Sequence, residues 1–477
     1  MDMEVEGKKV AVIGLGRSGL AMVQFLCRRR AQVIATDQKS EAELGCRTLT
    51  SLRMLGVHLE LGHHTPESLL GSDFILVSPG VPLSIEPLRR ARAAGIPILG
   101  EVEFASRFLP GRIIGVTGSN GKTTVTRLIG AILAQAGQCV HLGGNIGIPL
   151  TSLIDRVGEN DFVVAEVSSF QLETIDQFRP HIAVMTNISP DHLDRHATLG
   201  EYIHAKRRIF LNQTAADWAV LNADDPIVLE MMYETRAHPI LFSRRRELDE
   251  GVFVRDDEII CRWPDGERRL MARTEIPLLG EHNVENVMAA AAVGLAVGVA
   301  MEPMREAIRS FPGIEHRLER VTRINGVDYY NDSKATNVDS AMRALEAFPG
   351  DLIVIFGGRD KGSDFRPLRP LVAERVKHVI LLGEASPRIA RALRGAAPMT
   401  QVASMAEAVR YAHRLARAGD TVLLAPACAS FDLFDNYEHR GRVFKEEVQK
   451  LVDLADEPLQ RDAPMEEANS MNEVKRS

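Results

Sequence analysis

The stretch Gly115-Val-Thr-Gly-Ser-Asn-Gly-Lys-Thr-Thr124 constrains this chain more than any other. An apolar run (Arg112 to Val116) before it predicts a strand, and an amphipathic run (Thr123 to Ala136) after it predicts a helix. A glycine-rich turn at such a junction is a phosphate cradle. Gly118 and Gly121, with Asn120 between them, free the backbone to turn its N–H groups inward; the helix N-terminus adds a partial positive charge and Lys122 a full one. Thr123 and Thr124 complete the phosphate site, the Thr123 hydroxyl being the one placed for Mg²⁺. The strict spacing would put a glycine at Val116, where this chain has Gly115 and Gly118 instead. A turn that merely caps a helix is the competing reading, and Gly-Lys-Thr-Thr at a strand-to-helix junction argues against it.

At 477 residues the chain is too long for one core, and about 150 residues per domain suggests about three. The net charge is −7 and no long block of Lys and Arg occurs, which argues against a nucleic-acid surface. Five dispersed cysteines with no Cys-x-x-Cys pair indicate neither a disulfide framework nor a zinc site, and suit a reducing cytoplasm. The acidic N-terminus lacks the apolar core of a signal peptide. Met288 to Met301 is too short to span a bilayer and predicts a buried helix. A cytoplasmic monomer without a membrane span is expected.

Domain boundaries are expected near 105/106 and 312/313, where Pro and Gly punctuate the pattern, with a disordered polar tail over 454–477. In the first domain, the strand Lys8 to Ile13 leads through Gly14-Leu-Gly16-Arg-Ser-Gly19 into a helix, and the strand Gln32 to Thr36 ends at Asp37. This βαβ fingerprint holds a nucleotide diphosphate; by itself it leaves NAD open. Phe74 to Val77 ends in Ser78-Pro-Gly80, at the edge where such sheets bind ligands.

In the second domain, Asp161 to Val167 is a strand carrying Glu166, placed for a magnesium ligand beside the phosphate loop. His181 to Thr186 runs into a loop where His192, at a third strand end, reads equally as facing metal or phosphate or as an ordinary structural histidine, while Asp191, Asp194 and His196 read equally as capping or solvated groups. Lys206, Arg207 and Arg208 on the helix Tyr202 to Leu211 read as a solvated basic face. Arg244 to Arg273 predicts a β excursion. Asn283 and Asn286, three apart on one helix face, either reach one ligand edge together or leave Asn283 as a cap. In the third domain, strands alternating with helices predict a parallel sheet whose loops share an edge, bringing Lys334, Thr336, Lys361 and Ser430 together as an anion site.

Gly-Ser-Asn-Gly-Lys-Thr-Thr, Glu-Val-Ser-Ser-Phe-Gln-Leu, Asn-Ile-Ser-Pro-Asp-His-Leu-Asp-Arg-His, Gly-Glu-His-Asn-Val-Glu-Asn, Glu-His-Arg, Asn-Asp-Ser-Lys-Ala-Thr-Asn and Pro-Ala-Cys-Ala-Ser-Phe-Asp resemble the motifs of the Mur ligases, in order, over roughly residues 8 to 452. The likeness is greatest to the D-glutamate-adding branch. It implies an α/β fold of three domains: an N-terminal Rossmann-like domain, a central P-loop ATPase-like parallel sheet and a C-terminal Rossmann-like domain. It implies ATP-dependent addition of D-glutamate to UDP-N-acetylmuramoyl-L-alanine through an acyl phosphate. By the same resemblance Lys122 holds phosphates, Thr123 and Glu166 one Mg²⁺ and His192 a second. Lys206 matches a carbamylated lysine of the family, against the solvated-face reading. Asn283, Asn286, Arg317 and Asp332 match ATP contacts. Gly16, Arg17, Ser18, Asp37, Ser78, Pro79 and Gly80 match the uridine nucleotide site, with Asn145 near the muramoyl part. Lys334, Thr336, Lys361, Ser430 and Tyr437 match the D-glutamate pocket, Tyr437 standing where phenylalanine is common.

Overall fold

Runs such as Val10 to Ile13, Phe74 to Val77 and Phe162 to Glu166 are buried at every position. A strand apolar on both faces needs layers on both sides, which is the condition of a parallel sheet. The computed structural model describes residues 3 to 456 except 192 to 194, 197 and 361, and three such sheets occur in it. The first has the order His58–Leu61, Gln32–Asp37, Lys9–Ile13, Phe74–Val77, Ile98–Gly100, all parallel.

The second sheet has nine strands. Val140–Gly144 forms one edge, followed by Phe162–Glu166, Arg112–Thr117, Ile182–Met185, Trp218–Asn222 and His238–Ser243, all parallel. Gly251–Arg255, Glu258–Trp263 and Gly266–Ala272 then continue it as an antiparallel meander. The meander occupies the stretch Arg244 to Arg273, where the sequence predicts a β excursion beside the parallel sheet. Asp256 and Asp257, both at positive φ (49° and 59°), make the two-residue turn that local strand twist favours.

Helix Lys122–Gln135 packs with Glu281–Val297 over this sheet, in a core that includes Val125, Ile129, Val287 and Val293. Gly298, in the left-handed region, ends the second helix at Val297, before the apolar stretch Met288 to Met301 is complete. The basic segment is helix Leu199–Arg207 followed by a 3₁₀ turn Arg208–Phe210. It is not a solvated face: Lys206 is buried, and Arg208 donates to the Leu172 and Ile175 carbonyls.

The chain divides into two compact units. The first comprises the described residues of Met1–Glu315, Asn337–Pro349 and Asp360–Pro367; the second comprises those of His316–Thr336, Gly350–Arg359 and Leu368–Ser477. The second unit holds the third sheet, ordered Glu319–Ile324, Val327–Asn331, Thr421–Leu424, Leu352–Phe356, Val376–Leu382, Met399–Val402. Only its first pair is antiparallel, an edge hairpin that the sequence reading did not anticipate. Helix Tyr437–Asp456 carries through 454–456, and the rest of the expected tail lies outside the described residues.

In the first unit, Glu101 and Glu103 of helix Glu101–Ser106 are fully buried. Glu103 accepts from the backbone N–H groups of Asp176, Gln177 and Phe178 at 2.8, 3.0 and 2.9 Å and from Arg107 at 2.7 Å. Glu103→Ala would leave the buried Phe178 N–H, the part-buried N–H groups of Asp176 and Gln177 and the Arg107 guanidinium without this partner, so it should lower the unfolding free energy by about 3 kcal/mol, read as a fall in the urea midpoint, and Glu103→Gln should cost less.

Candidate active site

Gly118 has φ +140° and Gly121 φ +86°. A Cβ at Gly118 would strike the Thr186 hydroxyl, and one at Gly121 would strike the Asn286 side-chain oxygen, so only glycine fits either position. The loop is held from below by the next strand end. Thr186 Oγ1 donates to the Asn120 carbonyl at 2.6 Å, and the Asn120 N–H donates to Asn187 Oδ1 at 2.9 Å.

Two lysines meet on one carbonyl. Lys122 Nζ donates to Gly118 O at 2.9 Å and to Ser119 O at 2.7 Å, and Lys206 Nζ donates to Gly118 O at 2.6 Å. Lys206 is 2% exposed and its amine lies 4.7 Å from the centre of the Tyr202 ring. Burial first, then the neighbouring charge of Lys122, hold its pKa well below the ordinary lysine value. Burial also raises the Tyr202 phenol, whose oxygen lies 3.0 Å from Ser119 Oγ.

Thr123 Oγ1 donates to Glu166 at 2.8 Å, and Asn145 Nδ2 donates to the other carboxylate oxygen at 2.9 Å. A hydroxyl and a buried carboxylate at the mouth of an N–H-lined loop form an all-oxygen donor set suited to Mg²⁺, and the loop suits the phosphates that accompany it. Asn286 donates to Asn283 Oδ1 at 2.9 Å and Asn283 donates to Leu279 O; the helix N-cap is Gly280 with no side-chain cap bond, so Asn283 is no cap, and Asn286 Oδ1 lies against Gly121 of the loop. His196 is a buried structural group, 3.0 Å from Ser169 Oγ and stacked on Phe170. His192 and Asp194 lie outside the described residues.

The seven expected nucleotide residues, Gly16, Arg17, Ser18, Asp37, Ser78, Pro79 and Gly80, line a single cavity of about 460 Å³, to which Lys39 and His64 also contribute. Asp37 is anchored by the N–H groups of Leu15 at 2.6 Å and Lys39 at 2.8 Å, and Ser78 Oγ donates to Gly14 O at 2.7 Å.

In the second unit, the strands ending at Asn331 and Leu424 are neighbours, so Lys334, Thr336 and Ser430 follow strand ends on a shared edge. Lys334 Nζ lies 3.8 Å from the Tyr437 ring centre, a cation–π contact that orients the amine. Asp332 is buried, and burial pushes its carboxyl up to about 7 against the opposing pull of Arg317. Lys361 lies outside the described residues.

Sequence reasoning missed several residues. Arg440, fully buried, donates to Ser333 Oγ and O and to the carbonyls of Cys428 and Ala429, tying the two site loops together. Burial lowers its pKa to about 10. Its helical spacing to the buried Phe444, Val448 and Leu451 was the available signal. In the first unit Asp339 and Ser340 bond the Asn120 side chain at 2.5 and 2.6 Å, and Arg195 donates to the Pro79 carbonyl at 3.0 Å. No local pattern announces those three.

Residues 8–100 match the Mur ligase MurD-like N-terminal domain, 116–294 the Mur ligase middle domain and 316–428 the Mur ligase glutamate ligase domain. Two relatives named UDP-N-acetylmuramoylalanine–D-glutamate ligase align nearly end to end. That of Koribacter versatilis is 48% identical over 94% of this chain and 99% of its own, and that of Acidobacterium capsulatum 49% identical over 94% and 97%. The chain belongs to the Mur ligase family. Solved Mur ligase structures share its fold: a pseudomurein peptide ligase type C from Methanothermus fervidus has a TM-score of 0.61 at 20% identity over 93% of this chain and 100% of its own. UDP-N-acetylmuramate–alanine ligase MurC from Thermotoga maritima gives 0.59 at 19% over 93% and 100%.

In this Mur ligase the raised Asp332 carboxyl makes stability depend on pH. Its folded value, about 7, lies above its ordinary value of 3.8, so the native state keeps a proton the unfolded chain loses; the stability this contributes is present below 3.8 and is lost as pH rises through about 7. Asp332→Asn should flatten the fall of the urea midpoint across that window.

Proposed function

We propose that this enzyme joins D-glutamate to UDP-N-acetylmuramoyl-L-alanine with consumption of ATP, in the cytoplasm, as a monomeric step of peptidoglycan precursor synthesis. The reaction is the one that the relatives' names state of them. The observation that carries the reading is the convergence of Lys122, Lys206, Thr123 and Glu166 on one phosphate loop. The chain would work as three domains, residues 1–105 for the uridine nucleotide, 106–312 for ATP and 313–453 for the amino acid.

Mur ligases use ATP with Mg²⁺, which when bound neutralises phosphate charge. The substrate carboxylate attacks the γ-phosphorus, a new O–P bond forming as the bond to the ADP oxygen breaks. The D-glutamate amine then attacks the acyl carbon of the acyl phosphate, loses a proton, and phosphate leaves with the electron pair of its C–O bond. Lys122 offers its ammonium to the β and γ phosphates, with the loop N–H groups of Gly118, Gly121 and Thr124 around them and Asn120 holding the loop in place through its bond to Asn187. Thr123 and Glu166 hold one Mg²⁺, and His192 a second.

Lys206 supports a further step. A buried amine whose pKa is lowered is neutral enough to add CO₂, its nitrogen bonding to carbon as a proton departs, and the carbamate becomes an oxygen ligand near the second ion. Asn283 and Asn286 contact ATP beside the phosphate loop. The cavity at Gly16 to Ser18, Asp37 and Ser78 to Gly80 takes the uridine nucleotide, with Asn145 toward the muramoyl part. Lys334, steadied by Tyr437, joins Thr336, Lys361 and Ser430 in binding the D-glutamate carboxylates.

Phosphate release from ATP and Mg²⁺ with UDP-N-acetylmuramoyl-L-alanine should occur with D-glutamate and not with L-glutamate, L-alanine, L-lysine or meso-diaminopimelate; release with another of these would move the enzyme to a sister step. Lys122→Ala should lower turnover by about 100-fold or more while binding of the uridine substrate persists. Under ¹³CO₂ the wild type should show a carbamate carbon signal that Lys206→Arg lacks; an unchanged signal would remove Lys206 from that role.

A further inference from the structure

At the edge of the central sheet, away from the phosphate loop, Cys139 and His141 stand two apart where strand Val140–Gly144 begins, so both side chains leave the strand on one side. Asp161 immediately precedes the neighbouring strand Phe162–Glu166, and the parallel register pairs Val140 with Phe162. The pairing brings three donors together. His141 Nε2 lies 3.7 Å from Cys139 Sγ and 2.9 Å from Asp161 Oδ2, and the three donor atoms all lie within 4.8 Å of one another.

The arrangement does not suit a nucleophile relay, in which thiol and carboxylate engage opposite nitrogens of the imidazole. Here both meet Nε2, as ligands around a common centre do. Donors at about 2.0–2.3 Å from a tetrahedral ion stand roughly 3.3–3.7 Å apart; the Cys139–His141 separation of 3.7 Å lies in that range, and the 2.9 Å His141–Asp161 contact is a hydrogen bond that has to open by a few tenths of an ångström when an ion takes the proton's place. The Gly158 N–H, donating to Asp161 Oδ2 at 2.8 Å, already orients the carboxylate. We infer that Cys139, His141 and Asp161 form a binding site for a borderline-soft divalent cation, Zn²⁺ foremost, with the fourth position open to solvent beside the exposed Cys139. A thiolate and a carboxylate balance the ion's two charges, and the thiol proton passes to solvent on binding. Sulfur and imidazole ligands separate this site by chemistry from the all-oxygen set at Thr123 and Glu166.

The ion would clamp the edge strand to its neighbour. The far ends of those strands lead to Asn145 and Glu166, which bond each other about 16 Å away at about 3.3 Å per residue. The clamp therefore acts on the strands that place two active-site groups, independently of which amino acid the enzyme joins.

The test is a Co²⁺ titration of the untagged, chelator-treated full chain. The expected result is one equivalent bound, with a thiolate-to-metal charge-transfer band and tetrahedral visible bands, displaced by Zn²⁺ and unaffected by excess Mg²⁺. Cys139→Ser should abolish the charge-transfer band and weaken Zn²⁺ binding by roughly 100-fold, with Asp161→Asn weakening it by about tenfold or more, while Cys46→Ser, at another exposed cysteine, changes nothing. Absence of the charge-transfer band in the wild type, its survival in Cys139→Ser, or displacement of Co²⁺ by Mg²⁺ would overturn the assignment. Circular dichroism of each variant separates lost ligation from lost fold.

Discussion

The carbonyl of Gly118 is shared by two amines, and most of the site follows from that sharing. Lys122 and Lys206 both donate to it, one from the helix that follows the phosphate loop and one from a helix more than eighty residues further on. Two ammonium groups so close, one fully buried, repel; burial and the neighbouring charge together press Lys206 toward its neutral form. The carbonyl is available only because Gly118 adopts φ +140°, a conformation denied to other residues there by Thr186. One strained glycine thus sets the loop's path, the lysine's partner and the lysine's protonation.

Around this point neutral donors of the first unit are tied to fixed acceptors. Thr123 and Asn145 donate to the Glu166 carboxylate, and Asn120 donates to Asn187 and to the Asp339 carboxylate while accepting from Ser340. In a site for highly charged phosphates, such hydrogen-bonded groups hold the geometry before the ligand arrives. The second unit follows the same pattern. Arg440, buried and fully engaged with carbonyls and a hydroxyl, holds two loops in place, and Tyr437 steadies the amine of Lys334 with its ring.

Much of this was legible in the residues. The glycine turn, the strand end at Glu166, the asparagine pair on one helix face and the nucleotide fingerprint all lie within a few residues of a strand-to-helix junction, where local rules act. Lys206 was misread from composition because Lys-Arg-Arg on a helix looks solvated; only the turn of that helix against Tyr202 and Gly118 buries the first of them. Cys139 and His141 have no Cys-x-x-Cys spacing, and they meet Asp161, twenty residues later, only through the pairing of two parallel strands. The edge hairpin Glu319–Ile324 escaped notice because its residues are only half-buried and lack an apolar run.

The sequence by itself determined the chemistry on offer and the local turns that present it, because glycine conformations, helix starts and strand periodicity depend on neighbours only a few residues apart. The tertiary structure alone decided which charges are buried and which donors converge. Lys206 on Gly118, Arg440 across two loops, Asp339 and Ser340 on Asn120, and Cys139 with His141 and Asp161 are each made by segments distant in the chain. Desolvation and cross-strand register depend on what the remainder of the chain packs around a residue, which short-range pattern does not record.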